Sequence, residues 1–398
     1  MRVSRRSLTA VVCGALASVA AAGQEQVPEA SRSAGTPAAS SSPAAVGLGS
    51  PAVDAPGGLA SAAKTPAHAL EISGYAILGG SWTQADPQLL SVGRTNGFAL
   101  GDARLEVTGR PTENLWLYLS IDGAAPVYGS DPLQGSRAVL LRDAYGVWAP
   151  GGHLRVQAGQ FKAPQDVEEL LEETELKFAT RSIVSDGQMP PDGYTAQGLG
   201  LGRQLGLALG TDRVPFGFGS IIAQLAVMNG NGANQLYNDS QFPSAVGRVS
   251  FELPLHLQLG VDGYFQPRAS GTQPTVYRDN LAGVGGDLRF ERAGFHALLL
   301  AQLRNTHHLT SGAPDEVALG LSAEGAFRIG SLEPAVRLSY LSPSNQIPVA
   351  AINQLTAGVN LYAPDAPARL SIDYTHRGER AERSLQNDGL EVAAQVRF

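Results

Sequence analysis

The chain has 398 residues, of which 43% are hydrophobic, 16% charged and 7% aromatic, so it can build one large domain or two ordinary ones and is not disordered throughout. Its 47 glycines and 25 prolines are spread through apolar stretches without a collagen period, as suits strands joined by many turns. The net charge is -7 and the only lysines are Lys64, Lys162 and Lys177, so the basic footprint of a nucleic-acid partner is missing.

At the start of the chain, Arg2, Arg5 and Arg6 precede an uncharged stretch from Leu8 to Ala22 that ends in Ala20-Ala21-Ala22. Residues 1–22 therefore read as a cleaved secretory signal. Ser4-Arg5-Arg6-Ser7-Leu8 also resembles a twin-arginine signal. Cys13, the only cysteine, lies within this stretch and follows Val12, which does not suit a lipoprotein signal. A mature chain without a thiol has no disulfide, zinc-thiolate site or cysteine nucleophile. Residues 23–67 are rich in Ala, Ser, Pro and Gly and cannot bury enough apolar area to offset chain entropy, so they read as a disordered periplasmic linker. Beyond them no apolar run reaches the roughly eighteen residues of a membrane-spanning helix.

From Leu70 onward a period of two dominates, placing alternate side chains on opposite faces of a strand. Leu257, Leu259, Val261, Gly263 and Phe265 alternate with Gln258, Gly260, Asp262, Tyr264 and Gln266. Similar alternation recurs around Val284 to Glu291, Leu332 to Tyr340 and Leu390 to Phe398. Sixteen strands are expected, near 70–80, 98–109, 113–123, 138–149, 152–161, 198–211, 218–228 and 244–253, then 256–267, 281–292, 294–305, 316–329, 331–341, 353–363, 368–377 and 388–398.

A soluble sandwich would show the same period, so the connections decide. Short joins such as Arg110-Pro111-Thr112, Pro254-Leu255 and Ala363-Pro364-Asp365 alternate with long ones such as Asn229 to Pro243 and Pro267 to Asn280. That layout predicts an all-β, 16-stranded antiparallel transmembrane β-barrel over residues 68–398, apolar outside and wet inside. Trp82, Trp116, Trp148, Tyr75, Tyr145, Tyr340, Tyr362 and Tyr374 include rings near expected strand ends, where they would suit the headgroup region, and others would face the lumen. The final strand ends in Phe398, resembling the signal read by the outer-membrane barrel assembly machinery.

The longest connection, Lys162 to Gln197, follows the fifth strand and contains a helix-like stretch from Pro164 to Glu173. A loop of this length is usually functional or mobile; it can fold inward to narrow a pore or form an outward cap. Gly159-Gln160-Phe161-Lys162-Ala163-Pro164, followed by Glu168-Glu169-Leu170 and by Phe178, Arg181 and Ser182, resembles the strand-to-loop motif of the phosphate-selective porin O and P family. Asn229-Gly230, Gly247-Arg248-Val249, Asp287, Gly358-Val359-Asn360 and Gln395-Val396-Arg397-Phe398 are similar in kind and order, so the resemblance spans roughly 70–398. It implies a homotrimeric channel in the bacterial outer membrane whose long third extracellular loop forms the constriction, with lumen arginines and eyelet lysines. On that reading Lys162, Glu168, Glu169, Lys177 and Arg181 line the constriction. The chain departs from the family where selectivity is set, because Lys162 and Lys177 are the only lysines of the barrel region.

By strand phase, Arg104, Arg155, Arg248, Arg289, Arg304 and Arg337 face the lumen, opposed by carboxylates that include Asp262 and Asp287. The two signs roughly balance, so a transverse field favouring small polar solutes is expected in place of a ring of one sign. His307-His308 and the acidic group Glu168, Glu169, Glu172, Glu173 and Glu175 lack metal-site spacing, and neither a metal nor a cofactor is expected. The sequence carries no G-x-S-x-G, H-E-x-x-H, phosphate-loop or S-x-x-K signature. The leading expectation is passive diffusion of small hydrophilic solutes or inorganic anions, phosphate being one candidate, through a barrel held in outer-membrane lipid. The alternatives are a barrel-type hydrolase, for which His256 and His296 would be the partners of a serine, and a closed structural or adhesive barrel.

Overall fold

The computed structural model describes residues 68–128, 135–235, 237–272, 275–347, 350–379 and 384–398. The expected signal segment 1–22, with Cys13, and the linker 23–67 lie outside the described residues. The described chain forms β1 (Ala69–Thr83), β2 (Gly97–Thr112), β3 (Leu115–Tyr128), β4 (Gly135–Gly151), β5 (Leu154–Lys162), β6 (Arg203–Thr211), β7 (Gly219–Met228) and β8 (Ser244–Leu253). It continues with β9 (Leu257–Thr272), β10 (Thr275–Arg292), β11 (Phe295–His308), β12 (Glu316–Phe327), β13 (Leu332–Ser342), β14 (Ile352–Tyr362), β15 (Ala368–Glu379) and β16 (Gly389–Arg397). β6 breaks at Asp212 and Arg213 and resumes as Val214–Phe216, both parts pairing with β7. Every neighbouring pair is antiparallel, and β1 pairs with β2 on one side and β16 on the other, Tyr75 standing opposite both Arg104 and Arg397. Sixteen staves thus close into a barrel.

Closure satisfies each strand's N–H and C=O groups from both sides, which hydrocarbon surroundings require because no water is present to do it. Alternation then sorts the side chains. In β13, Leu338 is 59% exposed while its neighbour Arg337 is 4% exposed. Large apolar groups outside and charged groups inside invert the arrangement of a soluble protein and fit a lipid-facing surface. Aromatic side chains mark both ends of that surface. Phe216 contacts both Phe218 and Phe251 near the short turns, as Phe290 does Phe295, while Trp82 meets Phe98 edge-on at 5.6 Å near the opposite rim. Tyr75 and Tyr145, among the rings considered for the headgroup region, are buried on the inner face.

The short turns follow from local stereochemistry. Ala293 and Gly294 both take positive φ, 52° and 83°, the two-residue geometry that matches strand twist between β10 and β11. Most expected boundaries shift by a few residues, Arg110 to Thr112 for example belonging to β2, and two of the shifts change a connection. The stave expected from residue 198 begins at Arg203, because Gly198 to Leu201 belong to the long connection and Leu199 is buried there. The loop expected from Pro267 to Asn280 is a ladder instead, with Pro267 opposite Asn280 and pairing continuing to Thr272 opposite Thr275. Gly271, at φ +89°, makes this tall hairpin possible, since a Cβ there would lie 2.4 Å from the Thr275 carbonyl oxygen.

Leu299, near the middle of β11, is exposed on the outer face. Leu299→Arg is expected to cost about 2–4 kcal/mol in reversible unfolding from lipid vesicles, whereas Ser322→Ala on the inner face of β12 costs much less.

Candidate pore constriction

The connection between β5 and β6 runs across the inside of the barrel. Two one-turn helices, α1 (Val167–Leu170) and α2 (Ile183–Asp186), give it shape. Asp166 caps α1 by accepting the Glu168 N–H at 3.0 Å, and Glu168 and Glu169 occupy the first turn. The helix stops well short of the expected Pro164 to Glu173 span, for a local reason. Lys162 Nζ donates to the carbonyls of Leu170 at 3.4 Å and Leu171 at 2.8 Å, while Arg181 donates to those of Glu168 at 2.9 Å and Leu171 at 3.0 Å. With its carbonyls taken, the backbone turns extended at Leu171.

In a ring of sixteen staves, β13 stands diametrically opposite β5. The segment reaches it: Arg337 donates to the carbonyls of Thr180 at 2.8 Å and Arg181 at 3.2 Å, with its guanidinium 4.4 Å from the centre of the Phe178 ring. Asn360 donates to the Lys177 carbonyl at 2.8 Å, and Asp373 accepts the Ala179 N–H at 2.6 Å. Gln188 donates to Glu379 at 3.0 Å. Apolar contacts accompany these polar ones. Val167, Ile183, Val184 and Leu199 pack on Leu298, Leu300, Ala318, Leu341 and Ile352 of the far wall. Gly320 on β12 provides the notch, since a Cβ there would sit 2.6 Å from Val184 Cγ1.

The residues expected at the constriction have unequal environments. Lys162 and Glu168 are buried within the segment's own root, where Glu168 accepts from Ser182 and Ser185. Arg181 grips Glu173 with Nη1 at 2.6 and 2.7 Å. Lys177 approaches Glu333 at 3.4 Å, and Glu169 packs beside Gly200. The expected wall residues face inward, mostly in pairs. Arg104 meets Asp102 at 3.3 Å, Arg248 meets Asp287 at 2.7 Å and Asp262 at 3.4 Å, Arg289 meets Glu291 at 2.6 Å, and Arg155 pairs with Asp212. Arg304 donates to the Gly198 carbonyl at 3.2 Å.

Several wall groups were missed by phase reading. Arg142, paired with Asp122 at 2.7 Å, is skipped in the register between Ser120 opposite Asp143 and Ile121 opposite Leu141, so a bulge turns it inward beside Asp143. Arg203 binds Asp143 at 3.0 Å from the first position of β6. Facing them is the acidic edge of the crossing segment. Burial works against ionisation of Glu172, but Lys162, Arg203 and Arg104 together hold its carboxyl below the usual range. Burial likewise opposes ionisation of Glu173, and Arg181 and Lys162 prevail, lowering it to about 2. The result is a negative segment edge opposite a positive wall on β2 and β6.

Neither histidine considered for hydrolysis meets a serine in that role. His256 lies exposed in a short turn, and His296 has Nδ1 3.1 Å from Glu291 and Nε2 2.9 Å from Glu324, leaving no ring nitrogen to act as a base. His307 and His308 pair with different partners, Asp315 and Asp279. Among the described residues no three His, Cys, Asp or Glu side chains gather as a metal site.

The family model described as phosphate-selective porin O and P matches residues 79–258, a span that includes the strand-to-loop motif at 159–182. No curated protein sequence matches the chain significantly. Among solved structures, the chain is similar to the outer membrane channel DcaP of Acinetobacter baumannii, at 12% identity with 83% of this chain and 97% of that chain covered and a TM-score of 0.56. It is similar to the anion-selective porin from Comamonas acidovorans, at 12% identity, 83% and 99% coverage and a TM-score of 0.55. The trimer form of OmpT, an outer membrane protein of Vibrio cholerae, is similar at 9% identity, 84% and 100% coverage and a TM-score of 0.51. At such identities these likenesses establish a shared barrel fold.

Arg181 collects four contacts that hold the segment together. Arg181→Ala is expected to weaken segment docking by about 2–4 kcal/mol, read as faster amide exchange across 167–186 with strand protection unchanged.

Proposed function

We infer that this chain, which matches the phosphate-selective porin O and P family over residues 79–258, forms a water-filled channel in the bacterial outer membrane for small hydrophilic solutes or anions. The observation that carries the reading is the closed sixteen-stave barrel whose charged inner face is crossed by residues 163–202. Transport is passive diffusion: a solute sheds part of its hydration, passes between Glu172 and Glu173 on one side and Arg142 and Arg203 on the other, and is rehydrated beyond. A transverse field of this kind stabilises small ions of both signs and orients dipolar solutes, while excluding bulky apolar ones.

The lysines argue for a general polar channel over a phosphate-dedicated one. Lys162 is committed to backbone carbonyls and Lys177 to Glu333. The trimer form of one structural neighbour supports a homotrimer here, with barrel assembly machinery and outer-membrane lipid as the remaining partners. The hydrolase alternative loses support from the positions of His256 and His296. A closed structural or adhesive barrel would give no current.

Planar-bilayer recordings test the reading: the purified protein is expected to give discrete ion currents, and none at any voltage would overturn it. Replacing Glu172 and Glu173 together with Gln is expected to move the reversal potential in a chloride gradient toward anions. Asp186 adds a pH dependence. Its carboxyl is open to lumen water yet enclosed by surrounding chain, so burial pushes it up to about 7, with Glu169 and Glu173 adding to the effect against Arg181. A raised carboxyl is neutral at low pH and charged above its midpoint. Cation preference is therefore expected to grow as pH rises through about 7, and to lose this component in Asp186→Asn.

A further inference from the structure

At the root of the crossing segment, two carboxyls and two serine hydroxyls make three oxygen–oxygen contacts. Ser182 Oγ meets Glu168 Oε2, while Ser185 Oγ lies 2.6 Å from Asp166 Oδ2 and 2.9 Å from Glu168 Oε2. Each contact needs one hydrogen, and two serines supply two. The third hydrogen therefore sits on a carboxyl.

Geometry selects which one. Glu168 Oε1 accepts the Ser182 N–H at 3.0 Å and lies 3.6 Å from Arg337, both of which favour its anion. Asp166 accepts the Glu168 N–H through Oδ1, and among the described residues no cation forms an ion pair with it. We propose that Asp166 is a neutral carboxylic acid that donates to Ser185, that Ser185 donates to the Glu168 carboxylate, and that loss of the Asp166 proton unlatches the crossing segment.

The surroundings explain the effect. On its own segment Asp166 faces Glu168 and Glu169; on β9 it faces Asp262, whose carboxylate accepts the Asp166 backbone N–H. Asp262 is already shared with Arg248, which also serves Asp287 on β10, and Gln302 on β11 bridges Gln165 and Asp262. Beyond Glu168 stand Arg337 on β13 and Glu324 on β12. Burial first, then Glu168 and Glu169, pushes the Asp166 carboxyl well above the ordinary carboxylate range. An acid with a raised pKa in the docked state favours docking while protonated, and that contribution disappears as pH rises through the raised value. Once ionised, Asp166, Glu168 and Asp262 would have too few cations between them in a site already fully enclosed.

The gating consequence rests on the channel reading, so the test pairs conductance with a measurement that needs no current. Full-length protein is recorded in planar bilayers from about pH 5 to pH 10, and the same protein in detergent is followed by amide exchange across 163–202. Wild type is expected to gain conductance and lose protection in that segment as pH rises. Asp166→Asn keeps a donor toward Ser185 and has no proton to lose, so it is expected to hold the low-pH conductance and protection throughout. Ser185→Ala is expected to lower protection at every pH. Asp166→Asn titrating like wild type, or wild type keeping full protection to the alkaline limit, would overturn the proposal. Loss of protection in wild type but not in Asp166→Asn, with no current in either, would leave the latch standing and remove the channel reading.

Discussion

Everything in this molecule follows from the requirement that no backbone amide face hydrocarbon unpaired. A strand at an open edge would expose a row of such groups, each costing several kcal/mol in lipid, so β1 must be held by β16 as well as by β2. Closure fixes an inside and an outside. The period of two then delivers apolar side chains to one and polar side chains to the other, and the inner charges must find one another across staves, as Arg248 does with Asp262 and Asp287.

The inner wall is not uniformly polar, and the exception organises the pore. Leu298, Leu300, Ala318, Leu341 and Ile352 form an apolar patch on the face that should be wet, and the crossing segment covers it with Val167, Ile183, Val184 and Leu199. Burying a side chain of this size contributes about 1.5–3 kcal/mol, so these four supply a large share of the adhesion that offsets the ordering of the segment. Polar contacts from Arg337, Asn360 and Asp373 then fix its position. Adhesion and positioning are thus divided between different residues.

Much of this was legible in the sequence, because alternation and connection length are direct consequences of closure. The sixteen staves follow the expected order, and their side chains alternate as the period of two requires. What could not be read depends on contacts distant in sequence. Arg142 turns inward through a bulge that strict alternation cannot reveal, and the end of α1 is set by Lys162 and Arg181 reaching back to its carbonyls. The charge of Lys162 was visible, but its burial was not. One signal was available: Leu298-Leu299-Leu300 breaks the period of two, and an apolar residue at consecutive positions on a barrel stave announces that something covers the inner one.

Gly320 sets the seat of the crossing segment by shape alone. It is a notch in the far wall into which Val184 settles, and no ionisable group takes part in that fit. The bulk of one uncharged side chain on β12 therefore sets how closely the segment seats against the far wall. A larger residue there would press the segment, with Glu172 and Glu173 on it, toward the arginines of the opposite bank without adding or removing a charge.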